Sequence, residues 1–189
     1  LYHLPYNEVE FNQMSGRAGR DGAAAQVHLL FGRGDACVNE QVLRDMTPDH
    51  DCLAQVYRHL RALQRDHGDG FFTLGNVDLA KLASEGGHAV SSQSAACGVA
   101  VFRELGLIET HTAYASGEIT RSIRVVDTAS KVELTDSVRY REGMDEREIF
   151  HAFRDWVMRS NAADLQKRVS HPILPTTAVA KEAGNEQVE

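Results

Sequence analysis

The stretch QMSGRAGRDG, residues 13–22, sets two arginines three apart, with a glutamine four residues before the first and glycines on either side of them. On a helix, steps of four and three return to the same side, so Gln13, Arg17 and Arg20 point together. Two guanidinium forks on one face match a phosphate group bidentately, and the small residues Gly16, Ala18 and Gly19 leave room for close approach. Such a pair suits the negative charge carried by a phosphoryl group in transfer. The same residues also read as an ordinary exposed helix end with Arg20 paired to Asp21. The rest of the chain has to decide between the two.

The elements around the stretch form a strand, helix, strand pattern. LYHL (1–4) is a short apolar run broken by Pro5, and Asn7 with Glu10 three residues on predicts a capping box. The helix is predicted to run toward Ala18 and to end at Gly19 and Gly22, with QVHLLF (26–31) as a second strand. Such a unit belongs to a parallel α/β sheet. Residues 35–46 read as a further helix closed by Thr47-Pro48, and residues 1–48 are taken as one domain.

From residue 49 the pattern changes. Leu53, Val56, Tyr57, Leu60 and Leu63 make one apolar stripe at helical spacing. FFTLG predicts a short strand, Asn76 caps a helix over 77–85, and Ser91 or Ser92 starts a third helix that Gly106 ends. LIETHTAY and GEITRSIRVV then read as two strands joined near Ser116-Gly117. Helix, strand, helix, helix, hairpin is the order of a winged helix, here over 49–128. Its presumed recognition helix offers Ser91, Ser92, Gln93, Ser94 and Arg103, and the wing adds Arg121 and Arg124. These are few donors for reading base edges, which leaves backbone contact with nucleic acid through Arg103, Arg121 and Arg124, or a packing and docking role. Residues 129–169 read as an irregular connector and a helix opened by Asp145 and Glu148. The apolar face of that helix, Ile149, Phe150, Phe153, Trp156 and Val157, must dock on something. Residues 170–189 lack periodicity and are expected to be a mobile tail. The fold class expected is α+β: a partial RecA-like element, a winged helix and a C-terminal helix.

Composition narrows the chemistry. The 189 residues are 42% apolar and 25% charged, with a net charge of −7, the balance of a globular protein. Acidic side chains outnumber basic ones throughout: six to four over residues 1–48, twelve to nine over 49–140 and nine to seven over 141–189. That argues against strong, free-standing binding of nucleic acid, whose affinity rests on phosphate neutralisation. Cys37, Cys52 and Cys97 have no metal-ligand spacing, so no zinc site is expected and the thiols are read as reduced. No apolar run is long enough to cross a bilayer, which predicts no membrane contact and a cytoplasmic location. The opening LYHL reads as a strand already inside a domain, so the chain is expected to be part of a longer protein.

LPYNEVEFNQMSGRAGRDG followed by a strand resembles motif VI of superfamily 2 helicases, in the QxxGRAGRDG form of the RecQ-like group. The resemblance covers about 45 residues, to GRGDACVNEQVL. It implies that Arg17 and Arg20 are arginine fingers reaching the γ-phosphate of ATP, and that Gln13 couples nucleotide to DNA. It implies further that Gly16 and Gly19 line the nucleotide, and that ATP with Mg²⁺ is held mainly by an upstream helicase domain. The chain has no GxxxxGK[ST] and no DExH run, so by itself it should be inert as an ATPase. The four-cysteine zinc domain usual in RecQ proteins is also missing. ACGVAVFRELGLIE with VELTDSVRYREGMDEREIF is similar to the C-terminal region of RecJ-type single-stranded-DNA-specific exonucleases. The positions that carry it are Val101, Phe102, Glu104, Leu105 and Gly106, then Leu134, Ser137 and Tyr140. That similarity implies a DNA-processing parent acting on single-stranded or forked DNA. A divalent metal would belong only to a nuclease domain elsewhere, since Asp49, His50, Asp51, Asp66 and His67 read as a helix N-terminus and a turn. The alternative is a non-catalytic winged-helix adaptor that binds DNA or protein.

Overall fold

Asn7 caps a helix as its position predicts. Its Oδ1 accepts from the Glu10 backbone N–H at 2.8 Å and so caps helix α1, Glu8–Ser15, but the predicted capping box stays open, because Glu10 Oε2 accepts from Tyr6 N–H at 2.7 Å instead of from Asn7. The computed structural model describes residues 1–19, 23–85, 87–115, 118–128 and 131–170 and is a mixed α+β fold. Its remaining elements are α2 (Arg33–Met46), α3 (His50–His67), β1 (Phe72–Thr73), α4 (Asn76–Ser84), α5 (Ser92–Glu104), β2 (Ile108–Ala115), β3 (Glu118–Val125), α6 (Val138–Arg159) and α7 (Ala162–Ser170). Two compact units divide the chain: Leu1–Asn39 with the residues from Ile149 on, and Glu40–Glu148.

The first unit is built around aromatic side chains. Leu4, Phe11, Phe150, Phe153 and Val157 are buried; Tyr6 meets Phe150 at 5.9 Å between ring centroids, and Phe11 meets Phe153 at 6.1 Å. Of the apolar face predicted for the last long helix, Phe150, Phe153 and Trp156 therefore dock on α1 and the residues before it and Val157 is buried, whereas Ile149 stays exposed. Asn39 Nδ2 donates to the Leu4 carbonyl at 2.6 Å and ties α2 to the same unit. No strand forms over 1–4 or 26–31, contrary to the expected parallel pair. The Leu1 amino group donates to the His28 carbonyl at 2.7 Å and Leu30 N–H to the Leu1 carbonyl at 2.8 Å, one rung of parallel pairing about Leu29. Parallel strands are stable in sheets covered on both faces, and Val27 and Leu30 here remain exposed.

The second unit encloses a core of Leu53, Val56, Leu60, Leu79, Val99, Phe102, Ile108 and Ile123. Asp49 caps α3 by accepting from Cys52 N–H at 2.9 Å, and Ser91 caps α5 by accepting from Ser94 N–H at 3.0 Å. The sheet is antiparallel in the order β1-β3-β2, with Phe72 opposite Ile123 and Ile108 opposite Val125. Gln64 on α3 fastens the end of the central strand β3, beyond the reach of short β1: Oε1 accepts from Val125 N–H at 2.6 Å while Nε2 donates to the Gly70 carbonyl at 2.9 Å. Two boundaries differ from the sequence reading. Gly75, not Asn76, is the cap position of α4, because the Asn76 side chain accepts from Arg121 instead. α6 begins at Val138, seven residues before Asp145, because buried Ser137 caps it, its Oγ accepting from Tyr140 N–H at 3.1 Å. Gly143 of α6 lies against Thr47 so closely that an added Cβ would sit 2.8 Å from the Thr47 Cβ.

The three cysteines are free thiols. Cys37 is exposed; Cys97 is buried, and burial raises its pKa. Burial and the nearby carboxylates of Asp49 and Asp45 push Cys52 up to about 11. Among the described residues no helix is long and apolar enough to cross a membrane. The expected tail from residue 171 on lies outside the described residues.

Candidate functional site

α1 is shorter than its sequence predicts. Its last helical residue is Ser15, and Gly16 N–H closes the final turn on the Asn12 carbonyl at 2.8 Å. Arg17 therefore lies in the turn beyond the helix, where Ala18 N–H donates to the Ser15 carbonyl at 3.1 Å, instead of stacking on Gln13 along a continuous helix. Gly19 turns the chain with φ of 70°, a left-handed conformation that side chains with a Cβ rarely adopt. So Gly19 shapes the backbone after Arg17, beyond leaving room for a ligand. Phe11 and Ser15 mark the buried side of α1, with Ser15 Oγ donating to the Phe11 carbonyl at 2.6 Å. Gln13, two residues from each and thus on the other side, is exposed, as are Gly16, Arg17 and Gly19. Arg17 has no ion pair or hydrogen bond among the described residues. Arg20 lies outside the described residues.

The three arginines assigned to nucleic acid separate into two environments. Arg124 is neutralised: its Nη2 pairs with Glu109 at 2.6 Å, and its Cζ sits 5.0 Å from the Phe71 ring centroid. Arg121 is half-buried and donates to the neutral Asn76 side chain, while its Nε is buried with no acceptor. Burial, and then the charge of Arg103, lower the Arg121 pKa, so these two guanidinium groups share a neighbourhood. Among the described residues neither has a carboxylate partner. Arg103 is exposed in the last turn of α5. Nearby, a cleft of about 550 Å³ is lined by Arg61, Gln64, Arg65, Glu109, Arg124 and Asp127 among others. Two of its arginines are answered by carboxylates, Arg61 by Asp127 at 3.3 Å and Arg124 by Glu109.

α5 offers no reading face. Ser94, Ala95, Cys97, Gly98, Val99, Val101 and Phe102 are all buried, and only Ser92, Gln93, Arg103 and Glu104 are exposed. Ser91 is spent on the cap, and Ser94 Oγ donates to Asp45 at 3.4 Å. A helix that enters a groove needs an open face with donors along it. The stretches around Glu104 and Ser137 do meet. Glu104 Oε2 accepts from Ser137 Oγ at 2.8 Å and Oε1 accepts from Val138 N–H at 2.6 Å. The Ser137 hydroxyl and then the backbone N–H groups of Val138 and Arg139 hold the Glu104 carboxyl below its ordinary value. Leu134 and Tyr140 pack against the core beside this joint. The run from Val101 to Gly106 and the Leu134, Ser137, Tyr140 spacing thus have a structural explanation: one end of α5 completes the cap of α6.

Among the described residues no three His, Cys, Asp or Glu side chains gather as a metal site. Asp49 is a helix cap, as its sequence position suggests. No protein-family model, no curated protein and no solved structure matches this chain. Sequence reasoning reads Asn76 only as a helix cap, whereas it orients Arg121, and does not single out Arg168, which reaches Glu8. Neither partnership leaves a local sequence signal, since the residues are 45 and 160 positions apart.

Proposed function

We propose that this chain is the C-terminal part of an ATP-dependent DNA helicase of RecQ-like type with a RecJ-related region, a DNA-processing protein acting on single-stranded or forked DNA. Arg17 carries the reading. It is exposed and unpaired among the described residues, in a glycine-bounded turn, at the end of a helix whose opposite side is buried. A stability role does not account for such a residue. ATP with Mg²⁺, held mainly by an upstream domain, supplies the phosphoryl group to be transferred. Arg17 and Arg20 contribute positive charge where negative charge is transferred, and Gln13 stands between nucleotide and DNA. In the full-length protein Arg17→Ala and Arg20→Ala each reduce ATP turnover about 10³-fold or more. Near-normal turnover in both rejects the reading.

The second unit is proposed as a winged helix, supported by its element order and by the β1-β3-β2 sheet. Its contact with DNA is assigned to Arg103 and Arg121, whose charges no carboxylate among the described residues answers, in preference to Arg124, which pairs with Glu109. The enclosure of α5 favours a second reading, a non-catalytic adaptor in which this unit packs against protein. Titrating fluorescent single-stranded DNA at low and moderate salt separates them. Salt-sensitive binding that Arg103→Ala and Arg121→Ala weaken supports DNA contact; no binding even at low salt supports the adaptor.

A further inference from the structure

The helix that leads to Arg17 is held from behind by the far end of the chain. Arg168 of α7 donates from Nη2 to Glu8 Oε1 at 2.9 Å, with both side chains about two-thirds covered. Its Cζ also lies 5.2 Å from the centroid of the Trp156 ring. Trp156 in turn meets Phe11 edge-on at 6.4 Å between centroids, and Phe11 is buried. Glu8, Arg168, Trp156 and Phe11 therefore form a closed clamp on the first turn of α1. α7 itself has no buried residue, and Arg168 ties it to that turn through the ion pair with Glu8.

We infer that Arg168, stacked on Trp156, is a positioning residue for Arg17: by fixing the first turn of α1 it sets where the guanidinium beyond the other end is aimed. The inference rests on the nucleotide reading above. A helix of eight residues is about 12 Å long, so a tilt of about 10° at its start carries its end by roughly 2 Å. Displacements of about 1 Å in a catalytic group suffice to cost up to about 10²-fold in rate.

The test is charge reversal in the full-length protein, with steady-state ATP turnover and the fluorescence of Trp156 as readouts. Glu8→Arg and Arg168→Glu singly each lower kcat about tenfold, leave the KM for ATP unchanged and shift the Trp156 emission. The double reversal re-forms the ion pair and restores kcat, which a general loss of folding does not do, while the Trp156 emission stays shifted because a glutamate at 168 no longer sets a cation on the ring. Arg17→Ala, measured alongside, separates the two ideas. If it retains turnover, Arg17 is not an arginine finger and the positioning role fails with it, and if Arg20→Ala also retains turnover the nucleotide reading itself fails. If Arg17→Ala loses turnover while the single reversals keep wild-type kcat, or while the double reversal repairs nothing, the positioning role alone is overturned.

Discussion

Two helices carry the residues that look functional, and they are built in opposite ways. α1 buries Phe11 and Ser15 and leaves Gln13 exposed, with Arg17 exposed just past its end. α5 buries seven of its thirteen residues, including a serine, a cysteine and a glycine along with its apolar side chains. Packing accounts for α5 almost completely. It accounts for one side of α1 and leaves the other without a structural reason. A side chain is evidence of chemistry to the extent that burial, capping and pairing fail to explain it. By that measure Arg17 stands out, Arg103 and Arg121 follow, and Arg124 and Glu104 drop out.

Substitutions can break or sharpen this contrast. The largest effect on stability is expected from the enclosed helix: Phe102→Ala destabilises by about 3–5 kcal/mol, read from urea unfolding followed by circular dichroism. Arg17→Ala in the same assay changes stability by no more than about 0.5 kcal/mol, and a larger loss removes the distinction drawn here. Gly143→Ala forces α6 away from Thr47 and costs about 1–3 kcal/mol. Gly19→Ala imposes a Cβ on a left-handed residue and costs about 1–2 kcal/mol. Ser137→Ala removes a buried cap and costs about 1 kcal/mol.

The smallest effect is a pH dependence. The Glu104 carboxyl stays ionised to lower pH in the folded chain than in the unfolded one. Its contribution is therefore complete above the ordinary carboxylate range and is lost as pH falls through the depressed folded value. Glu104→Gln flattens that part of the acid limb in a series of melting temperatures against pH. An unchanged limb removes Glu104 as its source.

Local signals in the sequence were legible and long-range partners were not. Asn7 with Glu10, Asp49 and Ser91 each cap a helix from within a single turn, and the composition of those turns announces them. The alternation of the hairpin likewise places Ile108 and Ile123 on the core side. The end of α1 was misjudged because two glycines compete to stop it: Gly16 ends the helix, and Gly19 turns the chain afterwards. The start of α6 was hidden because Ser137 needs Glu104, 33 residues earlier, to complete its cap. Asn76 looked like a cap and instead holds an arginine. The runs at 1–4 and 26–31 have strand composition, but composition does not supply the neighbouring strands and covering helices that a parallel sheet requires. In the candidate site, the sequence identified which residues could bear on phosphate. It could not say which of them were already neutralised.

The contrast among the three thiols has a practical consequence. Cys52 and Cys97 hold their protons tightly under burial, whereas Cys37 stands in the open on α2. A maleimide dye at neutral pH will therefore attach to Cys37 first, in the unit that also contains Arg17, without any engineered labelling position. The native polypeptide thus offers a ready attachment point from which energy transfer to a labelled nucleotide could be followed.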